Sequence, residues 1–369
     1  MTRPIVVGIG RIGVSLSALA HRIPDAISGD AGELAAIAVS PGAGVAVAVR
    51  TAAALGCQGR LAGWVGADGL SALARATLVQ AGLDAGLLRV SPGGSRAEIV
   101  TVDPHGGRLI QRAAGDEIDL DALPIDVDAA LAGAGALLLD DSLPRAQIAV
   151  AQRARARGIP VVVDLTAPTE GAGELVAFAD VLLTSERMLA ELAPRRDLVG
   201  ALGELVRLGP RAVVVTLGAA GAVGRHGGDV IEVPGFPIET IDATGAGSVF
   251  HGAFVAGLLG ELPFARCIEL ASAAAAGPAG VRLRALRRRD RRRVLGDVRP
   301  RRHRRAARRS GARRGLGRAG AGRDRGRDRV RDHRAHRRQA DRRQRPSPGA
   351  RGPRARGQGL DRAPPGRVR

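Results

Sequence analysis

Five short runs rich in β-branched residues and leucine recur along the chain: Ile5 to Gly8, Ala136 to Asp141, Pro160 to Leu165, Val181 to Ser185 and Ala212 to Leu217. Between them, Arg145 to Arg157 and Leu198 to Leu208 carry the Ala, Leu and Arg content of helices that cover a parallel sheet. This strand–helix rhythm constrains the fold to the α/β class, a doubly wound and mostly parallel sheet. Two stretches interrupt it. Ala26 to Val39 lacks the rhythm, and Ala97 to Gln111 reads as a hairpin turning at Pro104 to Gly107. Segments of about 11–40 and 95–115 are therefore expected to form a small β lid over the C-terminal edge of the sheet, where ligands of such folds bind.

The rhythm stops beyond Gly277, so a folded domain of residues 1–280 and a tail of residues 281–369 must be read apart. The tail holds 35 Arg and 7 Asp of the chain's 56 basic and 36 acidic residues, leaving 21 and 29 upstream. The net charge of +20 thus belongs to the tail alone and implies no polyanion partner for the domain. The tail has no aromatic residue, no Glu and no apolar periodicity, so it is expected to be disordered in isolation. Two origins stay open for it. It is a GC-rich gene read out of frame after about residue 277, or it is a genuine basic arm that binds nucleic acid or acidic lipid by counterion release.

The domain can bury roughly three quarters of its extended surface. Cys57 and Cys267, the only cysteines, support neither a disulfide framework nor a thiolate metal site, which fits a reducing, cytoplasmic setting. Ala35 to Leu55 is broken by Pro41, glycines and Arg50, so no membrane span is expected.

Chemistry concentrates in the run Asp242-Ala-Thr-Gly-Ala-Gly-Ser-Val-Phe-His-Gly-Ala-Phe254, a glycine-rich turn that leads into an apolar helix running to about Leu259. Small residues let the backbone N–H groups of Gly245, Ala246 and Gly247 converge at the helix start. The unpaired donors and the dipole there can hold a phosphate or the charge that develops in phosphoryl transfer. Without other evidence, the same run is also readable as an ordinary glycine-rich helix start.

The run resembles the second signature of the ribokinase-like (PfkB) carbohydrate kinases, D-T-x-G-A-G-D-x-F-x-G-A-F. Val213-Val-Val-Thr-Leu-Gly-Ala-Ala-Gly221 resembles that family's strand and turn beside the ATP phosphates, which implies that Thr216, Gly218 and Gly221 line a nucleotide site. Gly63-Trp-Val-Gly-Ala-Asp68 is similar to the family's G-x-V-G-x-D segment. Thr184-Ser-Glu186 lies where members carry Asn-Glu near metal and phosphates, so the resemblance implies an indirect, water-mediated metal contact for Glu186 and a metal-region role for Asp242. The wording of the motif is closest to the ketohexokinase and sulfofructose-kinase-like branch. The resemblance covers residues 5 to 276 and implies ATP, Mg2+, a sugar or sugar-like acceptor and dimerisation through the lid.

The departures from the family pattern are as specific as the matches. Ser248 stands where the family carries the Asp that acts as catalytic base, and a neutral hydroxyl is a very poor base. Gly42-Ala-Gly-Val-Ala-Val47 is an eroded first signature, with Val47 in place of a polar substrate contact, and Gly13 takes the place of an Asp that meets a sugar hydroxyl. Gly13, Gly42 and Val47 are the candidate acceptor-site positions. The sequence therefore supports an ATP-dependent sugar kinase, or alternatively a non-catalytic relative or disabled gene product, or nucleic-acid binding through the tail.

Other features carry less. Gly8-Ile-Gly-Arg-Ile-Gly13 with Asp30 fits a dinucleotide fingerprint, which requires a helix from about Val14. His251 reads as a packed helix residue, Trp64 as core, and Asp164 as a polar-site residue or a loop cap.

Overall fold

The computed structural model describes residues 2–20, 23, 34–42, 44–102, 108–113, 115–116, 118, 124–194, 197–238 and 244–277. All fall within one compact unit, Met1–Arg302. The tail, Asp242, Asp30 and the turn at 104–107 lie outside the described residues.

The chain enters through β1 (Ile5–Arg11), β2 (Val14–Ala20) and β3 (Leu34–Pro41), then α1 (Val45–Ala54), β4 (Gln58–Gly66), α2 (Gly69–Gln80) and β5 (Asp84–Ser91). It continues with β6 (Ala97–Val102), β7 (Arg108–Ala113), α3 (Val127–Leu131), β8 (Ala134–Asp140), α4 (Pro144–Ala156), β9 (Val161–Leu165), α5 (Ala172–Val176) and β10 (Val181–Ser185). The last part holds α6 (Glu186–Leu192), α7 (Leu198–Arg207), β11 (Ala212–Thr216), β12 (Gly221–His226), β13 (Asp229–Pro234), α8 (Ala246–Leu259) and α9 (Phe264–Ala275).

Nine strands form one sheet in the order β13-β12-β11-β10-β9-β8-β1-β4-β5, parallel except for the β12 and β13 edge. Side chains alternate across a strand. Leu138 of β8 therefore joins Val162, Leu183 and Val214 under α1, α8 and α9, while Leu137 and Leu139 join Val163, Leu182 and Val213 under α4, α5 and α7. Both faces are dry, which is why the strand runs read as continuously apolar. Trp64 is core, as expected.

The lid is a separate four-stranded sheet, β3-β2-β6-β7. The hairpin expected over Ala97 to Gln111 is present as antiparallel β6 and β7. Val14–Ala20, within the segment expected for the lid, is strand β2, paired in parallel with β6 and antiparallel with β3, so the helix that a dinucleotide fingerprint requires after β1 is not there. The G-x-G-x-x-G run therefore opens no helix, and the amides and dipole that a dinucleotide pyrophosphate needs are missing there. What the glycines supply is close approach: Gly63 of β4 has φ +126°, and a Cβ on it would lie 2.0 Å from the carbonyl oxygen of Gly10.

The lid root is pinned by Asp68, the N-cap of α2. Its carboxylate accepts the N–H of Ser71 at 2.9 Å and the N–H of Ser95 at 2.7 Å. The Ser95 hydroxyl also donates to it, and these bonds hold its carboxyl down to about 2. Among the described residues no helix is long and apolar enough to cross a membrane.

Candidate active site

Two helix starts meet at the C-terminal end of the sheet. Gly245, with φ +79°, turns the chain into α8, and no side chain caps that helix. The first-turn amides of Ala246, Gly247 and Ser248 have no carbonyl within the helix to bond. Among the described residues, a Cβ on Gly245 or Gly247 would meet nothing within 4 Å, so both positions border open space. Gly245 therefore makes the turn, and the free donors of the helix start are the amides of 246 to 248, one residue along the chain from the expected 245 to 247.

Helix α8 is apolar on all sides because α1 and α9 cover it, as expected for a buried helix. Gly252 sets the closeness of that packing, since a Cβ there would lie 2.1 Å from the carbonyl oxygen of Ala48 in α1. The contact joins the two starts: the N–H of Gly44, N-cap of α1, donates to Oγ of Ser248 at 2.9 Å. The next amide, Val45, donates to Oδ2 of Asp140 at 3.1 Å.

Asp140 ends β8 with 4% of its surface exposed, and it faces Asp164 of β9 across the ladder. Burial, with Asp141 beside it, raises its carboxyl to about 6 against the hydrogen bonds that favour the charge. Oδ1 accepts the N–H and hydroxyl of Ser142 and Nε2 of Gln147. Asp164 is also buried, and burial pushes its carboxyl up despite His251. His251 of α8 places Nδ1 2.5 Å from Oδ2 of Asp164. Asp164 thus caps no loop.

The other acceptor-site candidates divide. Gly42 donates its N–H to the carbonyl of Gly13 at 2.7 Å, so these two meet where the lid leaves the main sheet. Val47 lies in α1 at 8% exposure within the apolar core and offers the site no polar group.

Among the nucleotide-site candidates, the Thr216 hydroxyl donates to the carbonyl of Thr184 at 3.2 Å and ties β11 to β10. Gly218, with φ +59°, has open space around it, whereas a Cβ on Gly221 would lie 2.1 Å from the carbonyl oxygen of Val233. Gly221 is therefore glycine for the sake of the β12–β13 crossing. Glu186 is the exposed first residue of α6. Among the described residues no group of three or more metal-ligating side chains forms a site.

The structure adds residues that sequence reasoning passed over. Asp140 ends an apolar strand like any turn residue, and only the α1 start reveals its role. Arg108 of lid strand β7 reaches across and donates Nη2 to Oγ1 of Thr244 in the motif turn at 2.7 Å, a contact between residues 136 apart in sequence.

The family model for pfkB family carbohydrate kinases matches residues 12–278, and the match ends where the Arg-rich segment begins. The ribokinase of Haemophilus influenzae is 28% identical over 243 residues, 64% of this chain and 78% of its own. The fructokinase of Klebsiella pneumoniae is 30% identical over 270 residues, 69% of this chain and 84% of its own. Among solved structures, Arabidopsis thaliana ribokinase complexed with ribose and ATP matches with a TM-score of 0.63 and 22% identity, covering 80% of this chain and 99% of that one.

Proposed function

The chain belongs to the pfkB family of carbohydrate kinases, and from that premise we propose how its residues divide the work of ATP-dependent phosphorylation of a sugar hydroxyl. Bound ATP with Mg2+ supplies the γ-phosphoryl group and neutralises phosphate charge. The observation that carries the reading is the uncapped, glycine-lined start of α8 beside the Gly44–Ser248 bond.

In this reading the amides of Ala246, Gly247 and Ser248 stabilise charge on the phosphoryl group in transfer. Gly13, Gly42 and Gly44 bring backbone close to the acceptor. Gly218 and Thr216 border the nucleotide phosphates. The donor set fits a hard cation carried on phosphates: an isolated exposed carboxylate, Glu186, suits a water-mediated contact better than a protein cage. Asp242, beside the motif turn, takes the metal-region role that its place in the motif implies. Arg108 joins lid and motif turn, so the lid helps hold the transfer site in place.

The names of the relatives span ribokinase and fructokinase and do not single out one acceptor. The test is calorimetric titration of Mg-ATP into the full-length protein, followed by ADP release with D-ribose and D-fructose. Saturable binding and sugar-dependent ADP release are expected. Folded protein that binds no Mg-ATP overturns the reading.

A homodimer through the lid belongs to the same proposal. Ile37, Ala18, Thr101 and Leu109 form one cross-strand row, and Val39, Leu16, Ile99 and Gln111 the next on the same side. Ile37, Ile99 and Leu109 are 63%, 45% and 44% exposed, while Val100 on the opposite side is buried. An apolar sheet face left in water favours a second copy as its cover.

A further inference from the structure

We propose that Asp140 is the general base of this enzyme, taking the proton of the acceptor hydroxyl that Ser248 cannot take.

The inference rests on the kinase reading and starts from its proton balance. As the acceptor oxygen bonds to the γ-phosphorus and the bond to the β–γ bridging oxygen breaks, ADP leaves with that electron pair and the hydroxyl proton needs an acceptor. Ser248 sits at the transfer site, but a hydroxyl already taking the Gly44 N–H is no proton sink at neutral pH.

The neighbouring amide leads to a carboxylate. Gly44 and Val45 are consecutive, so Ser248 Oγ and Asp140 Oδ2 are seated side by side on the first turn of α1. The two oxygens of Asp140 differ. Oδ1 is saturated by Ser142 and Gln147, whereas among the described residues Oδ2 takes one N–H, that of Val45, and keeps acceptor capacity. Oδ2 also lies within 2.4 Å of the position a Gly44 Cβ would take, so any side chain at 44 would collide with that oxygen and only glycine fits beside it.

Of the other described carboxylates near Asp140, both are engaged, while Glu186 is exposed at the start of α6. Oδ2 of Asp141 holds the N–H and hydroxyl of Thr166 and the N–H of Ala167. Asp164 is paired with His251. Asp141 on the same strand end, and Asp164 with His251 on the adjoining strand and helix, are the described titratable groups around Asp140. Burial raises its carboxyl to about 6, where a base works efficiently near neutral pH.

The rival explanation is that Asp140 only braces the start of α1, and a double-mutant scheme separates the two. Wild type, Asp140→Asn, Ser248→Asp and the double variant are compared for Mg-ATP affinity, kcat with D-ribose and D-fructose, and pH profile. Asp140→Asn is expected to lower kcat about 10² to 10⁴-fold with Mg-ATP affinity unchanged. Ser248→Asp supplies a second carboxylate, so in that background the same change costs less than about 10-fold. The acid limb of the wild-type kcat/KM profile near pH 6 should move to lower pH in Ser248→Asp. An equal loss in both backgrounds, or an unmoved acid limb, makes Asp140 a brace and overturns the proposal. A silent wild type with an active Ser248→Asp variant also overturns it while leaving the kinase reading intact. Failure of both proteins to bind Mg-ATP or to phosphorylate either sugar overturns the kinase reading and this inference with it.

Discussion

His251 of α8 and Asp164 of β9 form a buried pair, with Nδ1 2.5 Å from Oδ2 and side chains 1% and 5% exposed. The contact is an ion-pair approach without hydrogen-bond alignment, and neither Nε2 of His251 nor Oδ1 of Asp164 has a hydrogen-bond partner. A pair with so few supporting bonds is held by the packing of α8 on the sheet.

Removing one member strands the other. His251→Ala should cost about 3 kcal/mol or more, because Asp164 stays buried without its partner. The double variant with Asp164→Asn should cost clearly less than the sum of the two single changes. Urea unfolding of the three proteins checks this, and a single-variant loss below about 1 kcal/mol would mean that the pair contributes little.

Asp140 sets a pH dependence of opposite sense to most carboxylates. Its folded value of about 6 lies above the ordinary value of 3.8. Below the lower value both states carry the proton and burial of charge costs nothing. Between the two the unfolded chain ionises first, so stability falls as pH rises from about 4 to 6 and the loss, about 3 kcal/mol, is complete above 6. Relative to Asp140→Asn, the wild type should lose stability over that window. Denaturation midpoints from pH 4 to 7 that run parallel in the two proteins would contradict it.

Two glycines of the motif should separate binding from packing. A Cβ at Gly247 meets nothing within 4 Å among the described residues, so Gly247→Ala should leave the melting temperature within a few degrees and lower kcat at least about 10-fold by crowding the proposed anion cradle. Gly252→Ala drives a Cβ into the backbone of Ala48, so α1 and α8 must part. That change should cost about 1 to 3 kcal/mol or more and lower activity together with stability. Thermal melts and turnover measured side by side decide the matter.

The exposed apolar face of the lid predicts self-association. Ile37→Glu combined with Ile99→Glu should convert a dimer into a monomer in sedimentation velocity. A wild-type protein that stays monomeric at tens of micromolar would remove the lid interface from the account.

Much of this molecule is legible along the chain. The runs at Val181 to Ser185 and Ala212 to Leu217 became β10 and β11 almost to the residue, because a strand buried on both faces needs uninterrupted apolar residues. The glycine-rich turn before Ala246–Leu259 was equally plain, since backbone donors at an open helix start require small residues beside them. Lid strand Val14–Ala20 was less legible: its pattern of small and apolar residues suits strand or helix, and pairing with β6 and β3 decided it. The active-site carboxylate was out of reach. Asp140 and Ser248 are far apart in the chain and have no spacing to read. They meet because Gly252 lets α8 settle on α1, so that two consecutive amides of one helix start choose one residue from a strand end and one from a distant helix. Local sequence determines which elements form and where backbone is exposed, whereas the neighbours that side chains acquire, and the burial that shifts their proton affinity, arise only when those elements pack.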